Sequence, residues 1–153
     1  MLSNSSQLTI RPLVAEDRDD WSRLWTAYLA FYKTTLPPEV YETAFTRLLA
    51  PELTEFQGLI AEQDGKPVGL AHFLFHRLLW SIEDTCYLMD LFVDPACRGG
   101  GVGRALIEAV HSAAKANGIA VTYWQTEQNN YKGRMLYDQI AAQTPFIVYE
   151  KTD

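Results

Sequence analysis

Cysteine is scarce in this 153-residue chain, which has only Cys86 and Cys97. Two thiols build no disulfide scaffold. Met1–Ile10 has neither a basic nor an apolar leader region, so both are expected reduced, in a cytoplasmic protein. Cys97 carries no local mark of an activated nucleophile and reads as a small turn residue. No apolar run approaches the ~18 residues of a membrane span, so no membrane partner is expected. Positive charge is short as well: 13 Lys and Arg stand against 19 Asp and Glu, a net charge of −6. A nucleic-acid partner would need a basic face and is not expected. A cationic small molecule is compatible with the charge. There is no internal repeat and no low-complexity segment, and the length suits one domain over residues 1–153 with a real core.

The most informative stretch is Tyr87–Leu106. Leu88 to Val93, apolar except for Asp90, reads as a buried strand, and Asp94-Pro95 ends it. Arg98-Gly99-Gly100-Gly101-Val102-Gly103 follows, and then Val102, Leu106, Val110 and Ala113 recur at helical spacing. Strand, glycine-rich turn and helix in that order present unpaired amides at a helix N-terminus, an anion site most often used for phosphate. A P-loop needs Lys-Ser/Thr after the last glycine, where this chain has Arg104-Ala105. The dinucleotide pattern G-x-G-x-x-G fails in both frames, at Arg104 and at Leu106. The pattern R-x-x-G-x-G on Arg98, Gly101 and Gly103 fits. With the preceding strand it resembles the pyrophosphate loop of the GNAT superfamily of acetyl-CoA-dependent N-acetyltransferases.

The remaining elements follow from local signals. Leu8–Arg11 predicts a short strand ended by Pro12. A helix is predicted from about Asp17 to Tyr32, with Trp21, Leu24, Trp25, Tyr28, Leu29 and Tyr32 on one stripe. Pro37-Pro38 opens a second helix and Pro51 stops it. Gln57–Gln63 and Lys66–Leu79 are strands joined by the hairpin signal Asp64-Gly65. His72 and His76 fall ~13 Å apart on a strand and cannot share one ion, so they read as surface or groove residues and no metal site is expected. The glycine-loop helix should end at Asn117-Gly118. Ile119–Gln125 is expected as a buried strand, followed by a short helix with Met135, Leu136 and Tyr137. Phe146–Glu150 is expected to close the sheet.

A second motif supports the resemblance. Asn130 at a helix start and Leu136-Tyr137 seven residues on are similar to the later motif of histone, polyamine and D-amino-acid N-acetyltransferases. Ala141 departs from a common glycine, and Gly133 stands where alanine is commoner. The resemblance implies an α/β fold, α+β by some schemes. Its central sheet would be mixed and mostly antiparallel, with a splayed parallel strand pair at the acetyl-CoA groove and about four flanking helices. It also implies acetyl-CoA as co-substrate, a homodimer, and transfer to a primary amine: a polyamine, an amino acid or a lysine side chain.

Site roles come from the same resemblance. Main-chain groups of Leu91, Phe92 and Val93 would pair with pantetheine, and the Val93 amide or its neighbour would polarise the thioester carbonyl. The amides of Gly99, Gly100, Gly101, Val102, Gly103 and Arg104 would take the pyrophosphate, with Arg98 as a second cation. Asn130 and Gly133 would lie along the pantetheine arm, and Tyr137 would protonate the departing thiolate. Asp90 is open between general base, substrate anchor and structural carboxylate, because Met89 stands where polyamine-specific relatives carry a glutamate. Tyr28 and Tyr32 are open between lining the acceptor cleft and core packing. Glu127 is a second carboxylate near the strand mouth. Met89 also leaves open a non-catalytic acyl-CoA-binding sensor or regulatory module.

Overall fold

Residues 6–153 are described by the computed structural model of the chain. Its sheet has five strands in sequential order: β1 Leu8–Pro12, β2 Gln57–Gln63, β3 Lys66–His76, β4 Thr85–Val93 and β5 Thr122–Tyr123. The first four pair antiparallel, and β5 lies parallel to β4. The β2–β3 turn has Asp64 at φ 52° and Gly65 at φ 80°. Two successive left-handed residues match the twist of a tight hairpin, the reason Asp-Gly signals one. Four helices flank the sheet: α1 Arg18–Phe31, α2 Pro38–Leu48, α3 Val102–Ala116 and α4 Tyr131–Ile140.

The helices divide the core in two. On one face Trp21, Leu24 and Trp25 of α1 and Phe45 of α2 pack over Ile60, Leu70 and Phe92. On the other, Val102, Leu106 and Val110 of α3 cover Ala71, Phe73, Cys86 and Leu88. Burial pushes the Cys86 thiol up to about 11, so it stays protonated and acts as a small apolar residue.

Strand β4 changes face partway along. Phe73 pairs with Leu88 but His72 pairs with Asp90, so Met89 is an extra residue in β4. Before this bulge Cys86 and Leu88 face α3; after it Leu91 and Val93 do, while Phe92 joins the α1 side. One added residue inverts a period-two pattern, and bulges re-aim side chains in this way beside functional sites. Asp90 is thereby turned toward α1, and Met89 is 51% exposed.

Three expectations need correction. The strand predicted over Ile119–Gln125 shrinks to Thr122–Tyr123, paired with β4 only at Cys86 and Tyr87. Lys66–Leu79 ends as a strand at His76. Phe146–Glu150 does not close the sheet: it has no regular structure, and Phe146, Ile147, Val148 and Tyr149 are exposed. Strand character is local, but the partner that would pair with it is not supplied by this copy of the chain.

The entry to α1 rests on an ion network rather than on the helix dipole alone. Arg11 Nη1 and Nη2 donate to the two Asp17 carboxylate oxygens at 2.8 and 2.7 Å, and Nη2 also donates to Glu62 at 2.6 Å. Arg11 holds the buried Asp17 carboxyl below the usual carboxylate range, opposed by burial and assisted by the Val14 amide. A carboxyl lowered in the folded state stabilises above its unfolded pKa of ~3.9 and loses that contribution as pH falls through the lowered value. Arg11→Met should cost about 1.5–3 kcal/mol near neutral pH, as expected for charged hydrogen bonds. In urea titrations across pH, the gap to the wild type should narrow below about pH 4.

Candidate active site

The end of β4 is open on the side away from β3. Pairing to β5 stops at Tyr87, so Leu88–Val93 have no strand neighbour there. The Asp94 amide donates to Val68 at 2.7 Å, and peptide groups alternate along a strand. Val93 and Leu91 therefore direct their amides and carbonyls into the gap. The Phe92 carbonyl turns toward β3 and lies 2.9 Å from where a Gly69 Cβ would stand. Gly69, which sequence reading passed over, is thus what lets β3 approach β4 so closely.

Below this gap sits the glycine loop. Asp94 accepts from the Ala96 amide at 3.0 Å, setting a short 3-10 turn at Pro95–Cys97. Gly99 and Gly101 have φ of 88° and 82°, and an added Cβ at either would point into open space. Gly101 is the N-cap of α3 and supplies no side-chain cap, and the first intrahelical donor is the Ala105 amide, to Gly101 at 3.0 Å. The amides of Val102, Gly103 and Arg104 precede that first bond and remain as donors at the positive end of a 15-residue helix. Arg98 Nε donates to the Val93 carbonyl at 3.0 Å and the guanidinium lies 5.6 Å from the Phe92 ring centroid, while Arg104 is exposed. This cradle of donors fits a diphosphate. Gly103 joins it to the next wall, its Cβ position 3.7 Å from Leu136 and 3.8 Å from Val93.

That wall is α4. Asn130 caps it, with Oδ1 accepting from the Gly133 amide at 3.2 Å and Nδ2 donating to Thr126 at 2.9 Å. A Cβ on Gly133 would fall 2.5 Å from Asn130 Nδ2, so glycine at 133 and this cap go together. Tyr137 sits edge-on to Trp124 at 5.5 Å. Burial, and secondarily the nearby Tyr32, raise the Tyr137 phenol, which keeps its proton.

The opposite wall is the end of α1. Tyr28 and Tyr32 meet edge to face at 5.2 Å, and Tyr28 approaches Phe92 at 6.3 Å. The Tyr28 phenol is raised first by burial and then by the Asp90 carboxylate it faces. Tyr32 is raised by burial, with Glu127 and Asp90 adding to the effect. Asp90, Tyr28, Tyr32, Glu127 and Tyr137, read separately from the sequence, are thus within one another's electrostatic reach.

His72 requires a correction. It is no surface residue: only 4% exposed, it lies between Trp21 and Asp90. Trp21 Nε1–H donates to His72 Nε2 at 2.8 Å, so the imidazole proton is on Nδ1, which donates to Asp90 Oδ2 at 2.8 Å. This buried relay fixes the Asp90 carboxylate from behind. The spacing of His72 to His76 led nowhere; the informative relation was cross-strand, to Asp90 through the bulge. His76 instead meets the Tyr123 hydroxyl at 2.7 Å. Among the described residues no group of three or more His, Cys, Asp or Glu could hold a metal ion.

A sheet that opens past a short parallel pair, with a diphosphate cradle at its mouth and a carboxylate and a phenol in the gap, defines an acyl-coenzyme A transferase. The chain belongs to the acetyltransferase (GNAT) family, whose pattern matches residues 19–141. It is 34% identical to the D-amino-acid N-acetyltransferase HPA3 of Saccharomyces cerevisiae over 148 residues, 96% of this chain and 92% of that one. It is 31% identical to the uncharacterized N-acetyltransferase YhfO of Bacillus subtilis over 132 residues, 86% and 87% of the two chains. Its fold is similar to that of the aminoglycoside N-acetyltransferase AAC(6')-Iy in complex with CoA, with a TM-score of 0.82, 18% identity and 99% of each chain covered. The protein is an N-acetyltransferase, with acetyl-CoA as co-substrate. No described helix is long and apolar enough to cross a membrane.

Proposed function

We infer that the chain transfers acetyl directly from acetyl-CoA to a primary amine held at Asp90, as a homodimer in the cytoplasm. The observation that carries this reading is the Trp21–His72–Asp90 relay, which aims a carboxylate into the gap between Tyr28 and Tyr137. Acetyl-CoA supplies an activated thioester; the rest is done by the chain. The amides at the start of α3, with Arg98 and Arg104, hold the diphosphate. Main-chain groups of Leu91 and Val93 pair with pantetheine along the side lined by Asn130 and Gly133, and the Val93 amide polarises the carbonyl.

The acceptor must be a neutral amine, yet an amine of pKa ~10.4 has a free lone pair in only about one molecule in 2,000 at pH 7. Asp90 accepts the amine proton as the C–N bond forms, and Tyr137 donates its proton to the sulfur as the C–S bond breaks. Tyr28, Tyr32 and Glu127 line the acceptor side. Alignment of the two substrates is worth up to ~7–11 kcal/mol and a base ~10²–10⁴-fold, so positioning by the cleft dominates. The acceptors that fit are polyamines, amino acids and lysine side chains. The resemblance to a D-amino-acid enzyme puts amino acids in the panel beside the other two. Thiol release from acetyl-CoA should exceed background hydrolysis with at least one of spermidine, D- and L-amino acids or lysine peptides. Coenzyme binding without amine-dependent release across that panel would overturn the proposal.

A further inference from the structure

Two features of the chain are each half of a β-pairing. One is the outer edge of β5, which has no strand neighbour among the described residues. The other is the segment Phe146–Glu150. Residues 144–153 make no main-chain hydrogen bond among the described residues, and Phe146, Ile147, Val148 and Tyr149 are 77, 76, 68 and 88% exposed. Four large β-forming residues in succession suit a strand buried on both faces, with Phe146 and Val148 on one side and Ile147 and Tyr149 on the other. A solvated tail has the opposite composition.

Its own edge is not where the segment goes. Ala141 leaves α4 in extended backbone, with φ −148° and ψ 177°. Pro145 then disfavours a helical turn at Thr144, so the chain runs outward. Further apolar surface flanks the empty edge. Val121 is exposed, and its carbonyl accepts from the Cys86 amide at the start of β4. Leu79, Trp80 and Ile82, all exposed, lie in the turn that enters β4 at this corner.

We propose that two copies of the chain exchange Phe146–Glu150, each adding it as a strand to the β5 edge of the other. The partner is a second copy because each chain carries both an unpaired strand and an unpaired edge. A reciprocal two-fold exchange satisfies all four at once and leaves no edge to propagate. This deepens the homodimer of the proposed function and bears on the active site. No residue of α4 is buried in one copy, and Tyr131 and Met135 are widely exposed, yet this helix carries Tyr137. A strand added beside Tyr123 stiffens the segment that leads to Trp124, the ring against which Tyr137 packs.

Light scattering on the eluting protein should give a dimer for the full chain at micromolar concentration. The double variant I147D/V148D, altered only at exposed positions, should elute as a folded monomer by far-UV circular dichroism. Its turnover should fall by about 10- to 100-fold, the cost of a slightly misplaced catalytic group. A T122C/V148C variant in a Cys97→Ser background, treated with a bismaleimide, should give a covalent dimer under denaturing conditions. A monomeric full chain, a dimer unaffected by I147D/V148D, or cross-linking within one chain would each overturn the exchange. Mass and cross-linking are read without acetyl transfer, so failure here is distinct from failure of the enzymatic reading.

Discussion

Tyr137→Phe should lower kcat at least tenfold, within the ~10²–10⁴ supplied by a positioned acid or base, and leave acetyl-CoA affinity nearly unchanged. The substitution removes one oxygen and keeps the ring, so the edge-on contact with Trp124 survives. The phenol is suited to the role because burial and Tyr32 raise it, keeping it protonated through the physiological range. A thiolate leaving group is a strong enough base to take that proton as it departs. The loss should therefore fall on kcat and kcat/KM together, the mark of an interaction made only in the transition state. Pre-steady-state mixing can separate the chemical step from product release. An unchanged chemical rate would remove Tyr137 from the acid role and leave it as packing against Trp124.

The parts of this site that were legible in the sequence are those set by local backbone chemistry. Arg98 to Gly103 after an apolar strand announces a turn of exposed amides, and the positive φ of Gly99 and Gly101 is the geometry those glycines permit. Asn130 at the head of α4 and Asn117-Gly118 behind α3 were readable for the same reason, because caps are decided within a few residues. Pairing across the sheet was not readable. The bulge left a trace, since apolar positions run 86, 88 and then 91, 93, one residue out of phase. A continuous apolar run hides such a slip, and without it His72 and Asp90 cannot be matched. His72 was judged by its distance along the strand from His76, whereas its partners came from β4 and α1.

The same limit explains the end of the chain. Phe146–Tyr149 has the composition of a strand, and composition alone cannot say from which molecule its neighbour comes. The length of β5 was overestimated for a related reason. Ile119 is drawn into the core beneath α3, but the sheet pairs with this segment only where β4 still lies alongside, at Thr122 and Tyr123. Beyond that point the strands part. The gap that shortens β5 is the one into which Val93 and Leu91 turn their peptide groups, so the feature that defeats strand prediction is the one the active site uses.

Gly101→Asp should weaken acetyl-CoA binding by about a hundredfold or more, since each factor of ten is only ~1.4 kcal/mol and like charges set together cost several. Gly101 is the N-cap of α3 at φ 82°, and a Cβ there would enter open space, on the side where the diphosphate would lie. A carboxylate in that position competes for the amides of Val102, Gly103 and Arg104 and repels the phosphates. The fold should barely respond. A left-handed non-glycine residue costs about 1–2 kcal/mol, while a negative charge at a helix N-terminus returns ~0.3–1 kcal/mol. Gly101→Asn separates charge from bulk, because it has nearly the same shape, tolerates the backbone angle and is neutral. Calorimetric titration should find the asparagine variant much nearer the wild type than the aspartate variant, with similar melting temperatures for both. Equal affinities for wild type and Gly101→Asp would mean that the diphosphate is held elsewhere. The open edge of β4 would then have to bind the coenzyme through its pantetheine arm alone.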